Sequence, residues 1–177
     1  MSFSIFGKKV EANSRPIIVA EISANHQKSL KTIYKIIDAA KNSGADAIKI
    51  QTFKPETMTL NIKKKDFIVK NIKSKFYKKK LYDLYSQASL PLNWHKKIKN
   101  YAKKRGIYFF SSPFDKYTSD FLYSLKVPCF KIASFECTDL NLIAHIAKKK
   151  KPMIISTGMA SIKEISEAVL TAKKKWL

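Results

Sequence analysis

Five short apolar segments, each turning polar at its carboxyl end, constrain the fold of this chain more than any other feature. They are PIIVAEIS (16–23), DAIKIQTF (46–53), IYFFSSPF (107–114), PCFKIASF (128–135) and PMIISTGM (152–159). Near-continuous apolar residues with polar ends are the pattern of strands in a parallel sheet covered on both faces. Helical patterns separate them. In SLKTIYKIIDAAKNSG, Leu30, Ile33, Ile37 and Ala40 make one apolar stripe, with Ser29 placed to cap the start and Gly44 the end. PLNWHKKIKNYAKKRG sets Pro91 in a first turn and Gly106 past its end. KYTSDFLYSLK, DLNLIAHIAKKKK and SIKEISEAVLTAKKK follow the later strands. One connection, residues 54–90, is long: a basic, irregular NIKKKDFIVKNIKSKFYKKK precedes a helical LYDLYSQAS.

Repeated βα units fold either as a doubly wound sheet or as a (β/α)8 barrel. A doubly wound nucleotide site wants a glycine-rich first turn, and EISANHQKS has no glycine. A complete TIM barrel needs eight strands and typically ~250 residues. The expected fold class is therefore α/β, an incomplete (β/α)8 TIM barrel of about five βα units. Its first and fifth strands are left as edges.

Other classes are excluded by composition. With 177 residues and a 45% apolar fraction, the chain carries one sizeable core and is not disordered. No apolar run approaches the ~20 residues that span a bilayer, and MSFSIFGKKVEANSRP lacks the apolar stretch of a secretion signal. A cytoplasmic location and no membrane partner are expected. Cys129 and Cys137 match no zinc or redox spacing and read as small buried side chains. The net charge of +22 raises nucleic-acid binding as a function, yet only Arg15 and Arg105 are arginines. Lysine lacks the bidentate fork of base readout, and the lysines recur at helix ends and on exposed faces. The expectation is weak, sequence-independent contact and no specific nucleic-acid partner.

In barrel enzymes the chemistry sits at the carboxyl ends of the strands. Here those ends carry Glu21, Ser23, Asn25 and His26; Lys49, Gln51 and Thr52; Ser111 and Ser112; Lys131, Ser134 and Glu136; and Ser156, Thr157 and Gly158. Within FKIASFE (130–136), Lys131 sits in an apolar strand, where an ammonium without an anionic partner is costly. Lys49 and Gln51 share a strand face, as would Ser134 and Glu136. Lys131 and Ser134 differ in parity, so both line one pocket only if the strand twists or ends between them. Two ammonium groups and several hydroxyls at one mouth suit a small polyanion, a phosphate or a carboxylate. Glu21 and Glu136 are candidate catalytic residues, as sugar-hydroxyl acceptors or general acid/base. A lone strand-end serine more often caps a helix, and His26 reads as structural before it reads as a metal ligand. His95 and His145 lie on helical segments and look ordinary.

Taken together, IIVAEISANH, GADAIKIQTF, FFSSPFD, VPCFKIASFE and IISTGMAS resemble the nonulosonic-acid (sialic-acid) synthase family, in order and over nearly the whole chain. The wording SANH, FSSPF, KIASFE and DFIVK…LYDLY…WH is nearer its pseudaminic-acid branch than its N-acetylneuraminate branch. The resemblance implies condensation of phosphoenolpyruvate with an N-acetylated amino-sugar aldehyde. C3 attacks the aldehyde, water adds at C2 and phosphate leaves. It assigns Lys49, Ser112, Lys131, Ser134 and Ser156 to phosphoenolpyruvate, Glu21 and Gln51 to the sugar, and Glu136 to the reacting carbons. It also implies a divalent metal (Mn2+, Mg2+ or Co2+) whose ligands are not in this chain, and a homodimer for full-length members. Residues 1–177 would then be the N-terminal portion of the synthase barrel, without the remaining βα units or the C-terminal antifreeze-like domain, and inactive alone. The chain reads NHQKS where the family has a glycine, so Lys28 occupies a position that costs stability if it needs φ > 0. Two other functions compete: a lysine-rich nucleic-acid-associated or structural protein, and another phosphoenolpyruvate-dependent barrel aldolase.

Overall fold

The computed structural model describes residues 3–176; the first two residues, part of the start expected to lack a secretion signal, lie outside them. Two three-residue strands open the chain, β1 (Phe3–Ile5) and β2 (Lys8–Val10), paired antiparallel. Sequence reasoning did not anticipate this hairpin. Its two-residue turn needs positive φ at both positions, and Phe6 (56°) and Gly7 (69°) adopt it.

The main body is a five-stranded parallel sheet in sequential order: β3 (Val19–Glu21), β4 (Ala47–Thr52), β5 (Tyr108–Pro113), β6 (Phe130–Ile132) and β7 (Met153–Ile155). The helices are α1 (Leu30–Asn42), α2 (Pro55–Met58), α3 (Leu81–Ala88), α4 (Leu92–Lys104), α5 (Lys116–Ser124), α6 (Leu140–Ala147) and α7 (Ile162–Trp176). The five expected βα units are present, with strands shorter than the apolar runs. β3 and β7 each pair on one side only, so the expected edges are edges. Ser29 caps α1 by accepting the Thr32 amide at 3.2 Å. Pro91 stands one residue ahead of α4, at its N-cap, rather than inside the first turn. The long connection is ordered by local ties, among them Tyr82 Oη to Glu56 at 2.6 Å and an Ile68–Lys80 bridge.

Strand parity divides the core. One sheet face, carrying Ile48, Ile50, Phe109, Phe130 and Ile132, packs against Ile33, Ile37, Ile98, Leu122, Leu142 and Ile146 of the helices. The other face is the barrel interior. At its amino-terminal end Ala47, Phe110 and Cys129 pack under Ile5 and Phe6 of the hairpin, and the Phe6 ring stacks on Tyr108 at 4.9 Å. The hairpin thus plugs the barrel floor. Asp46 anchors it, accepting Lys8 at 2.5 Å, Arg15 at 3.1 Å and the Ile18 amide at 2.8 Å. Beside the plug, Val19 and Ile154 of the two edge strands help line an apolar hollow of about 380 Å3.

Two local expectations need correction. Ser134 and Glu136 do not share a strand face, because β6 ends at Ile132 and Ser134–Thr138 forms a 3-10 turn. Thr52 and Ser111, expected at the mouth, point into the helix layer. Thr52 Oγ1 lies 2.8 Å from His95 Nε2 and 2.6 Å from Ser111 Oγ, and Ser111 also donates to the Ile50 carbonyl.

Candidate active site

Register places Glu21, Lys49, Gln51, Ser112 and Lys131 on the interior face. Glu21 pairs level with Lys49, Gln51 with Ser112, and Ser111 with Phe130, which sets Ser112 level with Lys131. Because the apolar positions below are filled by the hairpin plug, these side chains form a polar layer at the carboxyl end. The alternation in AIKIQT is what turns Lys49 and Gln51 to this face while Ile48 and Ile50 enter the core.

Lys131 donates to Ser156 Oγ at 2.5 Å and to the Ile132 carbonyl at 2.7 Å. Burial lowers its pKa, and the neighbouring Lys49 ammonium lowers it further, while Glu136 and Glu21 oppose the shift. Both lysines therefore stand in one field. Lys49 forms an ion pair with Glu21, whose other oxygen accepts the Ser23 amide at 2.9 Å. That turn carries Ser23 at φ 48°.

Ending β6 at Ile132 resolves the parity conflict, since the 3-10 turn swings Ser134 and Glu136 back over the mouth. Glycine at 158 makes the neighbouring loop fit: a Cβ there would come within 3.0 Å of Ser134 Oγ. Glu136 is half-buried, and its pKa is raised, first by burial and then by Asp139. Its Oε2 is shielded from solvent and has no hydrogen-bond partner among the described residues. A carboxyl in this state is held toward its protonated form and is suited to donate a proton.

The structure thus gathers Glu21, Lys49, Gln51, Ser112, Lys131, Ser134, Glu136 and Ser156 at one end of the sheet. Sequence reasoning missed the polar cluster beneath them, Thr52, Ser111 and His95, which ties β4 and β5 to α4. Strand parity was the signal for it, because Thr52 and Ser111 alternate with Gln51 and Ser112.

The divalent metal implied by the resemblance does not fit the described residues. Among them no three His, Cys, Asp or Glu side chains cluster as a metal site. His26 bonds the Ala88 carbonyl at 2.9 Å and the Lys28 amide at 3.1 Å, His95 is occupied by Thr52, and His145 by Asp120. Nor is any helix of the described residues long and apolar enough to cross a membrane.

Comparisons with known proteins agree with the half-barrel fold. The chain is 48% identical over 153 residues to pseudaminic acid synthase of Campylobacter jejuni, covering 86% of this chain and 44% of that protein. It is 43% identical over 159 residues to pseudaminic acid synthase of Helicobacter pylori, covering 90% and 46%. The crystal structure of N-acetylneuraminic acid synthetase from Leptospira borgpetersenii in complex with citrate superposes with a TM-score of 0.83 at 27% identity, over 99% of this chain and 56% of that one. The chain therefore spans about half the length of the curated relatives it matches. A sequence profile of the NeuB family matches residues 36–176, and the chain belongs to the NeuB family.

Proposed function

We propose that this chain carries the phosphoenolpyruvate-binding half of a nonulosonic-acid synthase that acts on an N-acetylated amino sugar of the pseudaminic-acid type. The observation that carries this reading is the arrangement at Lys131. A part-buried ammonium, bonded to neutral oxygens and repelled by Lys49, is stabilised by an anion placed between the two lysines. Lys49, Lys131 and the hydroxyls of Ser112, Ser134 and Ser156 bind the phosphate and carboxylate.

In the reaction, C3 of phosphoenolpyruvate bonds to the sugar aldehyde carbon, and the aldehyde oxygen takes a proton. Glu136, with its raised pKa, supplies that proton. The cation at C2 takes up water, which releases a proton, and the resulting intermediate expels phosphate. Glu21 and Gln51 hold sugar hydroxyls. No step is assigned to a metal, because the side chains of the described residues do not form a site for one. Residues 1–177 act as the N-terminal portion of a barrel domain, in the cytoplasm, where phosphoenolpyruvate is made.

The test is calorimetric titration of phosphoenolpyruvate into the chain and into Lys131→Met. The expected result is a loss of at least about tenfold in affinity, ~1.4 kcal/mol. Equal affinities would remove Lys131 from the site.

A further inference from the structure

Glu21 and Lys49, side by side on β3 and β4, form an ion pair with each other, although the partners proposed for them are a sugar and an anion. We infer that Glu21 is a resident counter-ion that an incoming anion must displace from Lys49, so that occupation of the anion site releases Glu21 for a sugar hydroxyl. The inference rests on the anion-site reading above and names how its two ligands are coupled.

The two lysines are not equivalent. Lys131 has neutral partners only, Ser156 Oγ and the Ile132 carbonyl, and no carboxylate of the described residues forms an ion pair with it. Lys49 is already neutralised by Glu21. An anion therefore meets Lys131 first and then competes with Glu21 for Lys49. A phosphate group carries about two negative charges and three acceptor oxygens against the single charge of a carboxylate, so it wins that contest. Glu21 is also poised to let go. Its side chain is 36% exposed against 17% for Lys49, and its second oxygen stays anchored on the Ser23 amide. Once Lys49 turns to the anion, the freed oxygen faces the mouth as an acceptor. The coupling is reciprocal: whatever factor the anion adds to sugar affinity, the sugar adds to anion affinity.

The alternative is a fixed strut between β3 and β4, and the two make opposite predictions. If Glu21 competes for Lys49, Glu21→Gln tightens anion binding; if it is a strut, the same change leaves affinity equal or lowers it. The experiment titrates inorganic phosphate and phosphoenolpyruvate into the chain, Glu21→Gln, Lys49→Met and the double variant at constant ionic strength. A gain of about fivefold in phosphate affinity is expected for Glu21→Gln, and no gain from the same change in the Lys49→Met background. Phosphate should also raise the affinity for an N-acetylated hexosamine in the parent chain and not in Glu21→Gln. Unchanged or weaker phosphate binding by Glu21→Gln overturns the inference, as does an equal gain in the Lys49→Met background. Failure of the anion-site reading looks different: Lys131→Met then binds phosphoenolpyruvate as the parent does.

Discussion

The Lys131 ammonium reaches across from β6 to the Ser156 hydroxyl beyond β7, at 2.5 Å. This contact fixes the direction of a part-buried charge whose pKa is lowered by desolvation. Replacing Ser156 with Ala removes a hydroxyl that the proposed reading also assigns to the anion. We expect a loss of about three- to tenfold in phosphoenolpyruvate affinity, with thermal stability nearly unchanged, since Lys131 keeps the Ile132 carbonyl. Calorimetry beside a melting curve separates the two effects.

Asp46 controls the hairpin plug. Its carboxyl is held at about 2, first by the Lys8 hydrogen bond, then by the Ile18 amide, with Arg15 assisting and burial opposing. A depressed carboxyl stabilises the fold above its ordinary value of 3.8 and stops doing so as pH falls through about 2. The contribution at neutral pH is on the order of 2–3 kcal/mol at most. Urea unfolding should show Asp46→Asn less stable than the parent at pH 7, with the difference cut to roughly a third at pH 2.5, where the folded carboxyl is still mostly ionised. A constant difference between the two pH values would contradict the assignment.

His95 is wholly buried, and burial lowers its pKa to about 4 against an ordinary 6.5, with the Pro91 carbonyl opposing. A base whose folded pKa is depressed gives stability above its unfolded pKa, and that stability is lost as pH falls from 6.5 toward 4. Nitrogen NMR of the ring should find His95 neutral at pH 5.5. His95→Leu should cost about 1–3 kcal/mol, because Thr52 is left buried with one partner fewer. A charged ring at pH 5.5 would refute the neutral assignment.

Lys28 sits at φ 52°, directly after Gln27 at φ 48°. A side chain in this region costs roughly 1 kcal/mol, and glycine adopts it freely. Lys28→Gly keeps the backbone bond from residue 28 to His26 and should raise stability by about 0.5–1 kcal/mol, the gain being offset in part by unfolded-state entropy. Chemical denaturation measures it, and a destabilised variant would show that the Lys28 contact with Ser89 matters more.

How much of this was legible beforehand depended on the range of the interactions. The five strands and their sequential order follow from apolar runs and helical stripes, which are local. Lys49 and Lys131 were visible as charges inside apolar segments, and Lys28 as a glycine replacement. The hairpin was not visible, because three-residue strands carry almost no periodicity and their stability comes from Phe6 on Tyr108, about a hundred residues away. Thr52 and Ser111 are as polar as their neighbours Gln51 and Ser112, and only strand parity turns them into the helix layer. A shared strand face for Ser134 and Glu136 is the natural expectation, because nothing in ASFE marks the point at which β6 stops.

The most direct measurement of the central claim is a map of where phosphoenolpyruvate binds a chain with so much positive surface. Amide shifts of the isotopically labelled chain are followed as phosphoenolpyruvate is added, with sodium sulfate at matched ionic strength as the control. The account predicts saturable shifts at residues 131–136, 156–158 and 21–23, beyond those caused by sulfate, and their loss in Lys131→Met. Shifts confined to the lysine-rich ends of α4 and α7, or the same with sulfate and with phosphoenolpyruvate, would contradict it.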